Sequence, residues 1–374
     1  MEMNSKVLFF AILTIVILHF QQAYSLEFIV RGSVNEMYDD NINTSPDDPE
    51  TDWITNLMLG AAIRSEGRTR ELELAGNIYQ SYHLRNEEMN HFYQDAMLSI
   101  NKSFTERIAI AISDTFLHYP EAQSFGTMFE RSETEDGYIQ NDFSSGLTLY
   151  LTRKFFLNGL YNNTIVKNQS DEVADSVLHN PGGAVGYSFD SANIVRAGYM
   201  YSLIKYNDNT QARGDRGYAE YEKYLTRQLR GIIHGGYDYN EMEEGESLSS
   251  RWMVSLIDDV DERNELNISF LKESSISNIT NDAYNYWRVS VTLSHEVSLR
   301  ISVNAEIFYG EGCYEISRVK SKLAGASFDL AYAVSDYINL IAGYSFMWSS
   351  TEDPLTDESS YKRNQIYVGI SGEY

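Results

Sequence analysis

The chain has 374 residues, with Lys+Arg 29 against Asp+Glu 54, a formal net charge of -25 and a pI near 4.6. A chain so acidic repels phosphate backbones, which argues against nucleic acid as a partner. The single cysteine, Cys313, excludes an internal disulfide and lies too far along the chain for lipid attachment near the N-terminus, so it reads as an inert thiol.

Lys6 comes first among the informative residues, followed by the apolar run VLFFAILTIVIL over 7–18 and a polar stretch ending in AYS at 23–25. A positive residue, about a dozen apolar residues and small residues before a cleavage point predict a secretory signal peptide over 1–25, cleaved after Ser25. The remainder, 26–374, reads as one domain. No later stretch approaches the roughly eighteen consecutive apolar residues of a membrane-spanning helix.

From there the chain alternates. Leu57, Leu59, Ala61 and Ile63 share one face while Asn56 and Arg64 share the other. Leu72, Leu74 and Ile78 oppose Glu71, Glu73 and Asn77; Val195, Ala197, Tyr199, Tyr201 and Leu203 oppose Arg196 and Ser202. Trp287, Val289, Val291 and Leu293, then Leu299, Ile301, Val303, Ala305 and Ile307, oppose Arg288, Ser290, Thr292, Arg300, Asn304 and Glu306. Ile366, Val368 and Ile370 close the series before the terminal Tyr374. Period two over so many segments predicts antiparallel strands with one apolar and one polar face.

Links between the segments are short and long by turns. Tight polar links fall near 66–68, 105–106, 153, 190–192, 228, 260–261, 297 and 335. Longer ones cover 40–51, 85–88, 120–135, 170–175, 208–213, 243–245, 276–281, 313–318 and 351–358. The segments number about eighteen, each of roughly 13 residues, within the range of outer-membrane barrels and longer than sandwich strands. The pattern predicts an all-β fold, a transmembrane antiparallel up-and-down β-barrel with short periplasmic turns and longer extracellular loops. A propeller would repeat at a fixed spacing, and no such repeat is present.

Energetics assign the faces. An arginine on the lipid face at the bilayer midplane costs about 2–4 kcal/mol, and little in a wet lumen. The polar face is therefore expected inside, with Arg31, Arg64, Glu71, Glu73, Arg196, Glu220, Glu222, Arg251, Arg288, Arg300 and Glu306 as candidate pore-lining residues. Such residues either set up a transverse field that orients hydrated solutes or pair across strands and hold the wall. Trp53, Trp252, Trp287, Trp348 and the tyrosines (28 in the chain) suit interfacial girdles.

Two stretches carry a resemblance. YDDN, at Tyr38, Asp39, Asp40 and Asn41, ends the first predicted strand, and PGGAVGYSFDSANIVRAGYMYSLIKYND covers 181–208. With the alternating C-terminus ending in Tyr374, the mature chain resembles the β-barrel porin 2 family of Gram-negative outer-membrane proteins, although phenylalanine is the commoner last residue of such barrels. The resemblance implies a passive conduit in the outer membrane, with export of an exopolysaccharide as the function and a polysaccharide export system as a partner. It further implies contact with outer-membrane lipid and lipopolysaccharide, and delivery to the β-barrel assembly machinery through the strand ending in Tyr374. A general diffusion porin and a barrel plugged by its own loops are the alternatives.

No chemistry competes with this reading. The acidic residues Asp39, Asp40, Asp47, Asp48, Glu50 and Asp52 supply oxygens of the kind Ca²⁺ takes, but lack the glycine and closing glutamate of an EF-hand loop. His83, His91, His118, His179, His234 and His295 are scattered, without a nucleophile elbow or a metalloprotease motif. The chain therefore reads as a non-enzyme, with no cofactor and no assigned metal.

Overall fold

A computed structural model of the protein describes residues 26–119, 137–169, 174–243, 245–261, 263–277, 282–354 and 359–374. The expected signal peptide and the loop predicted over 120–135 lie outside the described residues. Eighteen strands follow in chain order: β1 (Glu27–Asp39), β2 (Asp52–Gly67), β3 (Arg70–His83), β4 (His91–Thr105), β5 (Ile108–Tyr119), β6 (Tyr138–Tyr150), β7 (Phe155–Asn168), β8 (Ser176–Ser188) and β9 (Asn193–Tyr206). The second half is β10 (Gln211–Tyr224), β11 (Leu229–Met242), β12 (Gly245–Asp261), β13 (Asn264–Ile276), β14 (Ala283–Ser298), β15 (Ile301–Tyr314), β16 (Lys320–Ala333), β17 (Ile338–Glu352) and β18 (Ser359–Glu373). Each strand pairs antiparallel with the next, and β1 pairs with both β2 and β18. The sheet is thus closed, as the meander predicts. Among the described residues the one helical element is the 3-10 turn Glu87–Met89.

Short turns are built from hydroxyl residues that cap their own hairpins. Thr105 Oγ1 accepts the N–H groups of Arg107 and Ile108, both at 3.1 Å. Thr152 does the same for Lys154 and Phe155, and Thr226 for Gln228 and Leu229. At the β8–β9 turn Asp190 takes this part, accepting from Asn193 Nδ2 and the Ala192 N–H at 2.8 Å. The Asn193 side chain first, and then the Ala192 amide, hold the Asp190 carboxyl below the ordinary range.

One turn departs from expectation. The sequence places the β14–β15 link near 297, with Arg300 inside the next strand. A bulge between Glu296 and Ser298 carries β14 on to Ser298, and Leu299 and Arg300 become the turn itself.

The outer surface is apolar in its middle. Val34, Leu59, Ile78, Val254, Ile307 and Val368 all point away from the interior and are exposed. Trp53, Trp252, Trp287 and Trp348 fall on the long-loop side of this band, while Tyr187, Tyr337 and Tyr374 fall on the short-turn side. The arrangement matches two interfacial girdles about a hydrocarbon-facing belt.

Closure depends on the first and last strands. Arg31 lies opposite Glu373 and Asp39 opposite Gln365, and Val30 and Tyr374 exchange backbone hydrogen bonds of 2.7 and 2.9 Å. At the long-loop end the YDDN residues lock this seam. Asp39, fully buried, pairs with Arg363 at 2.6 Å and accepts from Gln365 Nε2 at 2.8 Å. Asp40 accepts from the Asn364 amide and side chain, both at 2.6 Å, and Asn41 Nδ2 donates to Lys362 O at 2.9 Å. Oxygens that the sequence offers to a cation are therefore engaged by protein donors.

Two outcomes follow. Ile307→Arg, placing a guanidinium on the 64% exposed outer position, costs about 2–4 kcal/mol, measured by urea unfolding in bilayers. Asp39→Ala strands Arg363 at the seam and costs about 3–5 kcal/mol, read as a lower temperature for the loss of the compact barrel on unboiled SDS gels.

Candidate functional site: the charged inner wall

Alternation leaves every second residue of each strand facing the interior. Of the candidate residues, Arg31, Arg64, Glu71, Glu73, Arg196, Glu220, Glu222, Arg251, Arg288 and Glu306 fall on that face, by the registers that join them. Arg300 does not; it is an exposed residue of the β14–β15 turn, for the reason given above.

On β9 to β14 these side chains form one network, with a separate pair on β14 and β15. Arg196 pairs with Glu220 and, at 2.9 Å, with Glu222, which Arg230 meets at 3.4 Å. Glu220 lies 3.6 Å from His234 Nδ1, and Arg251 Nε donates to His234 Nε2 at 3.3 Å. With Nε2 accepting, the imidazole proton sits on Nδ1, toward the carboxylate. Tyr218 stacks on the His234 ring at 4.6 Å. Arg251 next pairs with Glu273 and approaches Asp238 at 3.8 Å, and Arg216 Nε meets Asp238 at 2.6 Å. Tyr286 donates to Glu273, while Arg288 pairs with Glu306 and lies over the Phe308 ring at 4.4 Å. On the far side of the barrel Arg64 meets Glu73 at 3.4 Å.

Cations on β9–β14 are thus matched to carboxylates on neighbouring strands. Inward carboxylates elsewhere have neutral partners instead, Glu71 accepting from Asn101 Nδ2 at 3.4 Å. Asp95 accepts from Asn77 Nδ2 and Tyr79 OH, both at 2.7 Å; Asp142 accepts from Thr164 Oγ1 at 2.7 Å and Asp329 from Tyr367 OH at 2.6 Å. Hydrogen bonds from neutral donors hold a carboxylate in place without cancelling its charge.

Several members of the network escape the sequence reading. Arg216 shares its face with Glu220 and Glu222, so carrying that strand's alternation four residues further would have found it. Asp238 and His234 lie in IIHGGYDYN, where Gly235 and Gly236 blank out the apolar pattern. Glu273 sits where the strand leaves the wall, and nothing local marks it.

That departure shapes the long-loop mouth. β12 pairs with β13 only as far as Trp252 and Lys272, although β12 continues to Gly245 and β13 to Ile276. Beyond Lys272 the end of β13, still paired to β14, folds inward over the inner face of β11. Asp238 Oδ2 accepts the Ser274 N–H at 3.1 Å, Asn240 Nδ2 donates to Ser274 Oγ at 2.8 Å, and Tyr206 OH donates to Ser277 O at 2.6 Å. Ile276 joins Ile204, Tyr206, Ala212, Met242 and Ala283 in the largest apolar cluster, with Leu178 and Ile316 packed against it. Side chains that alternation would send outward, Ser274 and Ile276, are buried because a second layer of wall lies behind them.

This is a closed, antiparallel, up-and-down barrel with an apolar exterior and a charged interior, the architecture of outer-membrane barrel porins. The chain is similar in fold to Pseudomonas aeruginosa OccK2 (OpdF) in complex with glucuronate, at a TM-score of 0.51 and 10% identity, covering 94% of this chain and 100% of that one. The structure of OccK2 (OpdF) described without that ligand matches with the same score and identity, over 94% and 99%. Acinetobacter baumannii OccAB4 has a TM-score of 0.49 at 9% identity, over 95% and 99%. At such identities the likeness is one of fold. No protein-family model and no curated protein matches the sequence.

Asp238→Ala removes one group that anchors both Arg216 and the inward strand end. The expected result is a loss of about 3–5 kcal/mol in stability and faster amide exchange at Ser274, measured by hydrogen–deuterium exchange in detergent micelles.

Proposed function

We propose that the protein is an outer-membrane channel for small hydrophilic solutes, one that admits cations over anions. The observation that carries this is the pairing of a lipid-compatible exterior with an inner wall of charges, three of whose carboxylates, Asp95, Asp142 and Asp329, face only neutral donors. Exposed charge on a narrow, low-dielectric wall concentrates counter-ions. The balanced network on β9–β14 contributes polar contacts but little net field, because each arginine sits beside a carboxylate.

The inward fold of the β13 end favours small solutes over a polymer, since it lays Ile276 and Ser277 against Tyr206 and the inner face of β9–β11 and so narrows the long-loop mouth. Export of an exopolysaccharide, implied by the resemblance to the β-barrel porin 2 family, would require that end to swing aside.

Purified protein in planar bilayers tests the reading. Discrete conductance steps are expected, with a zero-current potential under a KCl gradient of the sign that cation preference gives. Replacing Asp95, Asp142 and Asp329 together by asparagine is expected to bring that potential toward zero. A protein silent under every voltage and salt condition would not be a channel.

A further inference from the structure

A pair of like charges stands on the outer face near the short turns. Arg70 opens β3, and Lys102 lies three residues before the end of β4. Even-numbered residues face outward on both strands, as the exposed Ile78 and Tyr82 on β3 and Phe92 and Phe104 on β4 show. The register sets Arg70 directly opposite Lys102. Next to them, the Ser103 N–H donates to Thr69 O at 2.8 Å. Arg70 and Lys102 are therefore a non-hydrogen-bonded pair, the kind whose side chains come closest. Elsewhere the registers set cations against carboxylates: Arg64 against Glu73, Arg196 against Glu220 and Lys320 against Glu352. Here the row runs on into Gly67 on one side and Ile110 and Leu147 on the other, with no carboxylate in it.

Two cations side by side repel, and more strongly against hydrocarbon than in water. Lys102 shows where relief lies. Its Nζ sits 4.8 Å over the Phe104 ring, so the ammonium bends toward the short turns and away from the middle of the belt, as a snorkelling lysine does. The flanking turns add Arg68 and Arg107, both exposed. Glu66 and Glu71, opposite one another, share the inward face of Arg64 and Glu73, which leaves Glu106 as the carboxylate of these turns. We infer that Arg70 and Lys102 hold the phosphate of an anionic phospholipid in the leaflet on the short-turn side. A phosphodiester accepts from a guanidinium and an ammonium together, so one anion offsets both charges. Ile100, Ile110 and Ile112, outward on β4 and β5, offer its acyl chains an apolar surface. A zwitterionic lipid brings its own ammonium to the same place and binds less well.

The inference rests on the lipid-facing reading of the exterior but not on conduction, so a silent channel leaves it standing. The test uses the full chain, delipidated in neutral detergent. Phosphatidylglycerol or phosphatidylcholine of the same acyl chains is added, and bound lipid is counted by native mass spectrometry. Phosphatidylglycerol is expected to bind about tenfold more tightly than phosphatidylcholine, and Arg70→Gln with Lys102→Gln to erase that preference. Lys223→Gln with Arg227→Gln, which removes two cations at the β10–β11 end of the same rim, should leave it intact. Melting separates a binding pair from a structural one. Without lipid the first double variant is expected to be at least as stable as the parent, since the repulsion is gone, and to lose only the stabilisation that phosphatidylglycerol gives. Equal loss of preference in both double variants would show diffuse attraction to a basic rim. Displacement of the lipid by millimolar inorganic phosphate would show a free-phosphate site, and a first double variant destabilised without lipid would show a structural pair. Each of these, like a parent with no preference, would overturn the lipid site.

Discussion

Everything in this molecule follows from one constraint: in hydrocarbon, no backbone N–H or C=O can be left without a partner. A sheet satisfies that only by having no edge, so the first and last strands must find each other across the whole chain. The seam between β1 and β18 is where the constraint is met, with Tyr374 paired to Val30 at one end and Asp39 to Arg363 at the other. Once the wall is closed, alternation assigns each side chain to lipid or lumen, and the turns need only cap short hairpins.

Carboxylates recur where the ladder runs out. Asp52 accepts the Arg85 and Asn86 amides at 3.0 and 3.1 Å, Asp282 those of Ile316 and Ser317 at 3.0 Å, and Asp238 that of Ser274. In each case an aspartate near the long-loop rim takes N–H groups that no strand can pair. The strongly acidic composition thus has a structural share as well as an electrostatic one. Asp39 and Asp52 look from sequence like members of an open acidic loop, yet both are buried acceptors tied to distant chain.

Much of the site was legible in advance. Arg196, Glu220, Arg288 and Glu306 could be placed inward because apolar neighbours on both sides declared the other face, and Glu222 because it follows Glu220 at the same period. Whether such residues pair or stand free was not legible, since a cross-strand partner depends on register, and register on turn geometry. Arg300 shows how narrow the margin is: one bulge at Glu296 and Ser298 moved it from wall to turn. Asp238 and His234 were hidden for another reason, the glycines that replace the apolar residues around them.

The sequence by itself determined the strand number, the closed meander and the two faces, because a period of two and alternating link lengths are local properties. Only the tertiary structure decided that β13 leaves β12 at Lys272 and folds over the inner face of β11, and that one row on β5 to β8 gathers Asp114, Asn163 and His179 on the outside. Those features depend on which residues of different strands come to lie side by side. Side-chain alternation within one strand carries no record of its neighbour's register.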